Sequence, residues 1–354
     1  MPGPTVLLLF AILSIAPMYV FSSPIRVTEV VQASSKGVNI DDYSVQLVPA
    51  RLDMGSASVN DTFPRQWPSS YSTLSSMRTF HYSAGIGGRR WVIWAVNNDV
   101  DIVVGLDLGS DSGISELNSL SGDYLKSDAA TRQQFEKRVL ALCVGNESDD
   151  VKALAEGLDH ARKLMAGGKL PVVPITSALL YSTTWLNAWW PPEAVTFTDK
   201  MLQLLPLLDI ISFNCYGGYF SRGDQPPLTP EEDLTVSLSW SEQTGSTLLN
   251  QFGAIRAAMR NATLPEETQF WCTETGWAST PNRPEMEGWS SVQHLRTFYD
   301  GFLAFNTSAL FRPQEGWFDV RPPERIFFYS LRDDPLRPEY FGLFNASQVL
   351  APKV

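Results

Sequence analysis

Basic side chains are few in this chain, and histidine and cysteine are fewer still. Against 38 Asp and Glu stand 27 Lys and Arg, a formal net charge of -11, with no basic run anywhere. A polyphosphate backbone is repelled by such a surface, so nucleic acid is not an expected partner. The same acidic balance suits a neutral or cationic ligand, or solubility alone. The only histidines, His81, His160 and His294, have no paired spacing, so no metal is expected. His160 and His294 fall in helical patterns, whereas His81 ends an early strand and is a candidate for the mouth of a cleft. Cys143, Cys215 and Cys272 are three, too many for one disulfide and too few for two. All lie in apolar strand-like runs and read as buried thiols.

Two sequence signatures are also missing. Gly85-Ile86-Gly87-Gly88 is the nearest approach to a G-x-G-x-x-G turn, and it lacks the last glycine and the acidic partner of a dinucleotide site. No G-x-S-x-G elbow occurs, which argues against a Ser-His-Asp triad. The low charged fraction, 18% against 44% hydrophobic, excludes a disordered chain and supplies a sizeable core.

The longest apolar run, Val6 to Ala16, is short for a membrane span. With Pro17 and the small pair Ser22 and Ser23 behind it, it reads as a secretory leader over residues 1–22. A buried first strand or an uncleaved anchor is the other reading. The expected mature unit is a single domain, 23–354, secreted and free of the membrane once the leader is removed. Sequons at Asn60, Asn146, Asn261, Asn306 and Asn345 agree with an extracellular glycoprotein.

After the leader, short apolar runs alternate with helical patterns. The runs are Met77 to Tyr82, Asp101 to Leu108, Ala141 to Glu147, Pro171 to Ala178, Ile210 to Tyr216, Gln269 to Glu274 and Ile326 to Leu331. Their continuous hydrophobicity is that of parallel strands covered on both faces. Helical spacing is clearest from Ser148 to Gly167, with Ser148 as the expected cap. It recurs over Ala129 to Leu140, Thr247 to Met259 and Ser291 to Phe305. An eighth strand is expected within Val38 to Val45 or Tyr43 to Pro49. The fold class is therefore α/β, a single-domain (β/α)8 TIM barrel, with a doubly wound open sheet as the alternative.

Two of these strands end in a carboxylate. Ala141-Leu142-Cys143-Val144-Gly145-Asn146-Glu147 runs from apolar residues into Asn146 and Glu147. Phe270-Trp271-Cys272-Thr273-Glu274 does the same at Glu274, followed by Gly276 and Trp277. In a barrel the C-terminal strand ends form one face, so both acids point into one mouth. Retaining glycoside hydrolysis needs such a pair, about 5 Å apart, one protonated and one ionised. Glu147 as acid/base requires a raised pKa, Glu274 as nucleophile requires donors around it, and Tyr216 is a candidate donor. If Asn146 lines the cleft, it is expected to contact a sugar and to carry no glycan. Strand alternation gives Cys143 and Cys272 the inward parity of the two acids, which places both thiols inside the barrel. Pyranose faces stack on aromatic rings, and Trp185, Trp189, Trp190 and Trp277 follow strand ends where a glycan could lie. The segment Gly217 to Gly245 is a candidate cleft wall.

Val144-Gly145-Asn146-Glu147 and Thr273-Glu274-Thr275-Gly276-Trp277 resemble the acid/base and nucleophile motifs of family-17 glycoside hydrolases, the β-1,3-glucanases and related glucosyltransferases. Met77-Arg78-Thr79-Phe80, Phe213-Asn214-Cys215-Tyr216 and Tyr340-Phe341-Gly342-Leu343-Phe344 echo the same family in the same order. The resemblance implies a (β/α)8 barrel, retention of configuration, a β-1,3-glucan substrate and no cofactor; the chain is expected to act as a monomer. It makes Glu147 the proton donor and Glu274 the nucleophile. It also makes Asn146 a contact to the reacting sugar and Tyr216 a neighbour of the nucleophile; with Arg78 and the strand-end Trp185, Trp189 and Trp277 they are the candidate substrate-binding residues. Two positions depart from the pattern: Ser330 stands where an acidic residue is common on the last strand, and Phe80 where Tyr is common. A glucosyltransferase, a non-catalytic glucan-binding barrel and a β-1,4-acting barrel glycosidase remain alternative readings.

Overall fold

The computed structural model describes residues 35–40, 74–82, 87–187, 194–216, 229–230, 248–281, 289–304, 323–331, 333, 340–343, 345 and 353. Eight strands occur in it: β1 (Ser35–Asn39), β2 (Ser76–Arg78), β3 (Asp101–Leu106), β4 (Val139–Asn146), β5 (Ile175–Leu180), β6 (Ile210–Asn214), β7 (Gln269–Thr275) and β8 (Arg325–Phe328). Each pairs in parallel with the next, and β1 pairs with β8, so the sheet closes into a barrel in chain order. The helices are α1 (Gly87–Asn97), α2 (Ile114–Lys126), α3 (Ala129–Arg138), α4 (Val151–Ala166), α5 (Asp199–Leu204), α6 (Leu248–Asn261) and α7 (Val292–Ala304). This is the expected (β/α)8 barrel. None of the described helices is long and apolar enough to cross a membrane.

All seven expected strands form. The eighth, β1, starts at Ser35 and overlaps the first of the two proposed windows only at Val38 and Asn39. Its short pattern, with Gly37 against the Phe327 ring, carries little of the apolar signal by which its neighbours are read. Helix α4 begins at Val151 with Asp150 as its cap, accepting the Ala153 N–H at 3.0 Å, and not with Ser148. Helices α1, α2 and the short α5 lie outside the helical patterns of the sequence. Helix α1 starts in a glycine run, and α2 is rich in Ser, Gly and Asn, poor helix formers that mask the spacing of its buried Leu117, Leu120 and Tyr124.

The core has two layers. Val103, Ala141, Cys143, Ala178, Ile210, Trp271 and Phe327 fill the barrel interior. A much larger cluster fills the space between the barrel and its helices, with pairs such as Phe252 against Phe270 at 5.7 Å and Tyr299 against Phe328 at 5.1 Å. Strands buried on both sides by these layers are those that read as unbroken apolar runs.

Cys143 belongs to the inner layer as expected, but Cys272 does not. It joins the outer layer with Cys215. The pairing of β6 with β7 steps from Phe213–Cys272 to Asn214–Glu274, so Thr273 is an extra residue on β7. A bulge of this kind breaks the two-residue alternation, and parity counted back from Glu274 fails at that point.

Candidate active site

The geometry at the mouth begins with two irregular strand ends. On β4, Cys143 pairs with Thr176 and Asn146 with Ala178, three steps against two. Gly145 takes φ 79°, and Glu147 itself φ 53°. Regular alternation would send Asn146 and Glu147 to opposite faces. The distortion brings both to one partner, Asn214 at the end of β6. Glycine is required at 145, because a Cβ there would lie 2.7 Å from the Leu154 side chain and 3.2 Å from Leu108. The bulge on β7 does the same for Thr273 and Glu274, which both reach the site.

Four hydrogen bonds connect the two carboxylates. Glu147 Oε1 accepts from Asn214 Nδ2 at 2.9 Å, and the same amide donates to Asn146 Oδ1 at 3.1 Å. Asn146 Oδ1 also accepts from the Arg78 guanidinium at 2.8 Å, and Arg78 donates to Glu274 Oε1 at 2.9 Å. The second oxygen of Glu274 accepts the Tyr216 hydroxyl at 2.8 Å. The strand-end acids thus occupy one mouth, Glu274 buried and Glu147 exposed.

The electrostatics differ at the two acids. Glu274 is 4% exposed and faces Arg78, which is fully buried. Burial works against the Arg78 charge, yet its neighbours, Glu274 among them, hold its pKa above the ordinary value. Arg78 is positioned by the Thr273 carbonyl at 3.1 Å and by the Phe80 ring, 4.7 Å from its guanidinium carbon. Burial pushes the Tyr216 phenol well up, and the adjacent Glu274 reinforces the shift, so Tyr216 stays a donor. Glu274 therefore has two strong donors, one on each carboxylate oxygen. Such a pair of acids can protonate a leaving group from one side and attack a carbon from the other.

Arg78, Asn146, Glu147, Tyr216 and Glu274 come together as the sequence suggested, but the tryptophans do not. Trp277 is fully buried, its ring 5.7 Å from Phe298 and its indole N–H on the Trp289 carbonyl at 2.9 Å. Trp185 is 1% exposed in the layer between barrel and helices. Neither ring offers a face to a ligand, and the expectation of stacking is corrected for both. Trp189 and Trp190, most of the segment Gly217 to Gly245 and the leader lie outside the described residues. His81 sits at the strand-end level but faces Asp107, 3.8 Å away, and makes no contact with the network.

Other residues at the site were not singled out by sequence. Asn214 and Thr273 stand in the sequence only as members of motifs, with no role of their own, and Asn39 lies outside every motif. Asn39 Nδ2 donates to the Thr273 carbonyl at 3.0 Å, which ties β1 to the bulge. Phe80, Tyr329, Phe341 and Tyr216 form a chain of ring contacts: Phe80–Tyr329 at 5.9 Å, Tyr329–Phe341 at 5.6 Å and Phe341–Tyr216 at 5.9 Å. The available signal was a set of polar or aromatic residues at the C-terminal ends of β1, β6 and β8. Gly276 permits this packing, since a Cβ there would meet the Tyr329 carbonyl at 2.3 Å.

No protein-family model and no curated protein sequence matches the chain. Solved structures do. A β-1,3-glucanase and pollen allergen of Cryptomeria japonica aligns with a TM-score of 0.54 at 16% identity, over 90% of this chain and 97% of that one. An active-site mutant of the Rhizomucor miehei β-1,3-glucanosyltransferase, in complex with laminaritriose, aligns with a TM-score of 0.57 at 16% identity, over 90% and 96%. A plant β-glucan endohydrolase gives 0.54 at 15%, over 88% and 96%. At these identities the likeness establishes a shared (β/α)8 architecture along nearly the whole of each chain.

Proposed function

We propose that this chain is a secreted, retaining glycoside hydrolase of the family-17 type that acts on β-1,3-glucan. The observation that carries the reading is the single hydrogen-bonded network joining Glu147 and Glu274 across the barrel mouth. The fold shared with β-1,3-glucanases and a β-1,3-glucanosyltransferase supports it, as do the motifs around both acids. The leader-like run and the sequons support secretion.

In the first step Glu147 gives its proton to the glycosidic oxygen while Glu274 attacks the anomeric carbon. The glucan breaks, and one part remains as an ester on Glu274. Arg78 and Tyr216 each bind one oxygen of the Glu274 carboxylate and orient it before attack. In the second step Glu147, now ionised, takes a proton from the incoming hydroxyl, which displaces Glu274 with net retention. Water as acceptor gives hydrolysis, and a sugar hydroxyl gives transfer. Arg78 pins Asn146 through its carbonyl oxygen, which leaves the amide of Asn146 for a hydroxyl of the reacting sugar. A glycan on Asn146 would obstruct that contact, so the secreted protein carries none there.

The test is turnover of laminarin-type glucan by the wild-type chain, Glu274→Ala and Glu147→Gln. The reading requires activity in the first and its loss in both variants. Unchanged turnover in both variants, or binding of glucan by the wild type without any cleavage or transfer product, overturns it.

A further inference from the structure

We propose that Asn214 is a positioning residue for the Glu147 carboxylate, held in its working orientation by the Thr273 hydroxyl. The inference rests on the proposed glycosidase reading and deepens it. Asn214 is fully buried at the end of β6. Its two amide hydrogens are both used, one on Glu147 Oε1 at 2.9 Å and one on Asn146 Oδ1 at 3.1 Å. Its carbonyl oxygen accepts the Thr273 hydroxyl at 2.8 Å.

The direction of this chain is fixed by chemistry. An arginine only donates, so the Asn146 atom facing Arg78 at 2.8 Å is its carbonyl oxygen. That oxygen can only accept from Asn214, and an ionised Glu147 can only accept as well. The Asn214 group facing both must therefore be its NH2. Its Oδ1 then faces Thr273, whose hydroxyl donates to it at 2.8 Å. The bulge on β7 is what turns Thr273 to meet it. One guanidinium thus sets the polarity of every polar side chain from Glu274 to Glu147.

Glu147 is exposed and has a left-handed backbone, and the buried Asn214 amide holds one of its carboxylate oxygens in place. A donor to a carboxylate also favours the ionised form. Asn214 accordingly eases the second step, in which Glu147 is a base, and holds the acid's alkaline limit down. Among the charged or titratable groups near Glu147 are Tyr216, just after β6, which feels its charge directly, and Arg78 on β2 and Glu274 on β7 through the network.

The experiment records pH–rate profiles on β-1,3-glucan for the wild type, Asn214→Ala, Thr273→Val and Thr273→Ser. A β-glucoside with a dinitrophenol leaving group, which departs without acid assistance, is run in parallel. Asn214→Ala is expected to lower kcat on glucan about 10- to 100-fold and to move the alkaline limb up by about one pH unit. Formation of the covalent intermediate from the activated glucoside should change far less. Thr273→Val should shift the limb in the same direction by a smaller amount, and Thr273→Ser should restore the wild-type profile. Should Asn214→Ala fail to fold, the Thr273 pair carries the decision. An unmoved alkaline limb in a folded variant of an active wild type overturns this role alone. Equal losses on both substrates point to general disruption and overturn it too. A wild type inactive on both substrates overturns the glycosidase reading and this inference with it.

Discussion

Arg78 and Glu274 form a fully enclosed ion pair at 2.9 Å, with side-chain exposures of 1% and 6%. The pair draws on strands five apart in chain order, β2 and β7, and the free end of the guanidinium continues to Asn146 on β4. Charge is thereby placed inside a barrel that also encloses apolar residues such as Val103, Ala141, Trp271 and Phe327.

Removing one partner of such a pair leaves the other buried and uncompensated, at a cost of about 3–5 kcal/mol. Arg78→Met should therefore lower stability in urea unfolding by about that amount and abolish turnover. Arg78→Lys keeps the charge but cannot address Glu274 and Asn146 from two nitrogens, so it should fold better than Arg78→Met and still lose most activity. Wild-type activity in Arg78→Lys would show that the bridge to Asn146 is dispensable.

Tyr216→Phe deletes one donor to Glu274 and leaves the ring contact with Phe341 in place. A hydrogen bond to a charged group contributes about 1.5–3 kcal/mol, so kcat/KM should fall at least about tenfold, with little change in thermal midpoint. Because the phenol's pKa lies well above its ordinary value, the wild type should show no loss of this donor up to about pH 10. Steady-state kinetics and a melting curve on the same preparation check both points.

Glu116 is a buried carboxylate that accepts the Tyr82 N–H at 2.9 Å and the Asp107 N–H at 2.7 Å, tying the segments after β2 and β3 together. Burial raises its pKa above the ordinary 4.5, against the pull of those two donors. The folded protein therefore binds a proton that the unfolded chain has lost, and this contribution is present below pH 4.5 and disappears as pH rises through the folded value. Glu116→Gln keeps an acceptor for both N–H groups and removes the titration. Its stability relative to the wild type should rise with pH across that window and level off above it. Glu116→Ala should destabilise at every pH. A Gln variant whose advantage does not change between pH 4 and pH 7 contradicts the sign.

Gly145→Ala adds a methyl group at φ 79° with the Leu154 side chain 2.7 Å away. Backbone strain in the left-handed region costs about 1–2 kcal/mol, and the larger effect should be on function, since the turn aims Asn146 and Glu147. Activity should drop further than stability does. Comparison of glucan turnover with unfolding midpoints decides it, and parallel modest losses in both would refute a role in aiming.

The barrel was legible in the sequence because strands covered on both faces must be apolar nearly throughout, as Ile102 to Val104 and Phe270 to Cys272 are. Strand β1 was blurred by its glycine and by a preceding lysine. The acids Glu147 and Glu274 stood out as carboxylates that interrupt apolar runs. Asn214 and Thr273 carried no comparable signal, because a polar residue at a strand end reads alike whether it serves water or a neighbour. Parity counting placed Cys143 correctly and Cys272 wrongly, since a bulge has no signature in composition. Trp277 follows the nucleophile in sequence, yet an indole with a backbone partner is fully satisfied in a core. Position along the chain could not separate that outcome from a sugar platform.

The most direct test of the central claim is covalent trapping. The full chain is incubated with a 2-deoxy-2-fluoro β-glucoside bearing a dinitrophenol leaving group, and its peptides are mapped by mass spectrometry. One added glycosyl group is expected, on Glu274, forming more slowly in Tyr216→Phe and released faster when a β-1,3-glucan acceptor is added. An active enzyme that accumulates the adduct on a different carboxylate, or that turns glucan over with inversion and no adduct, would contradict it.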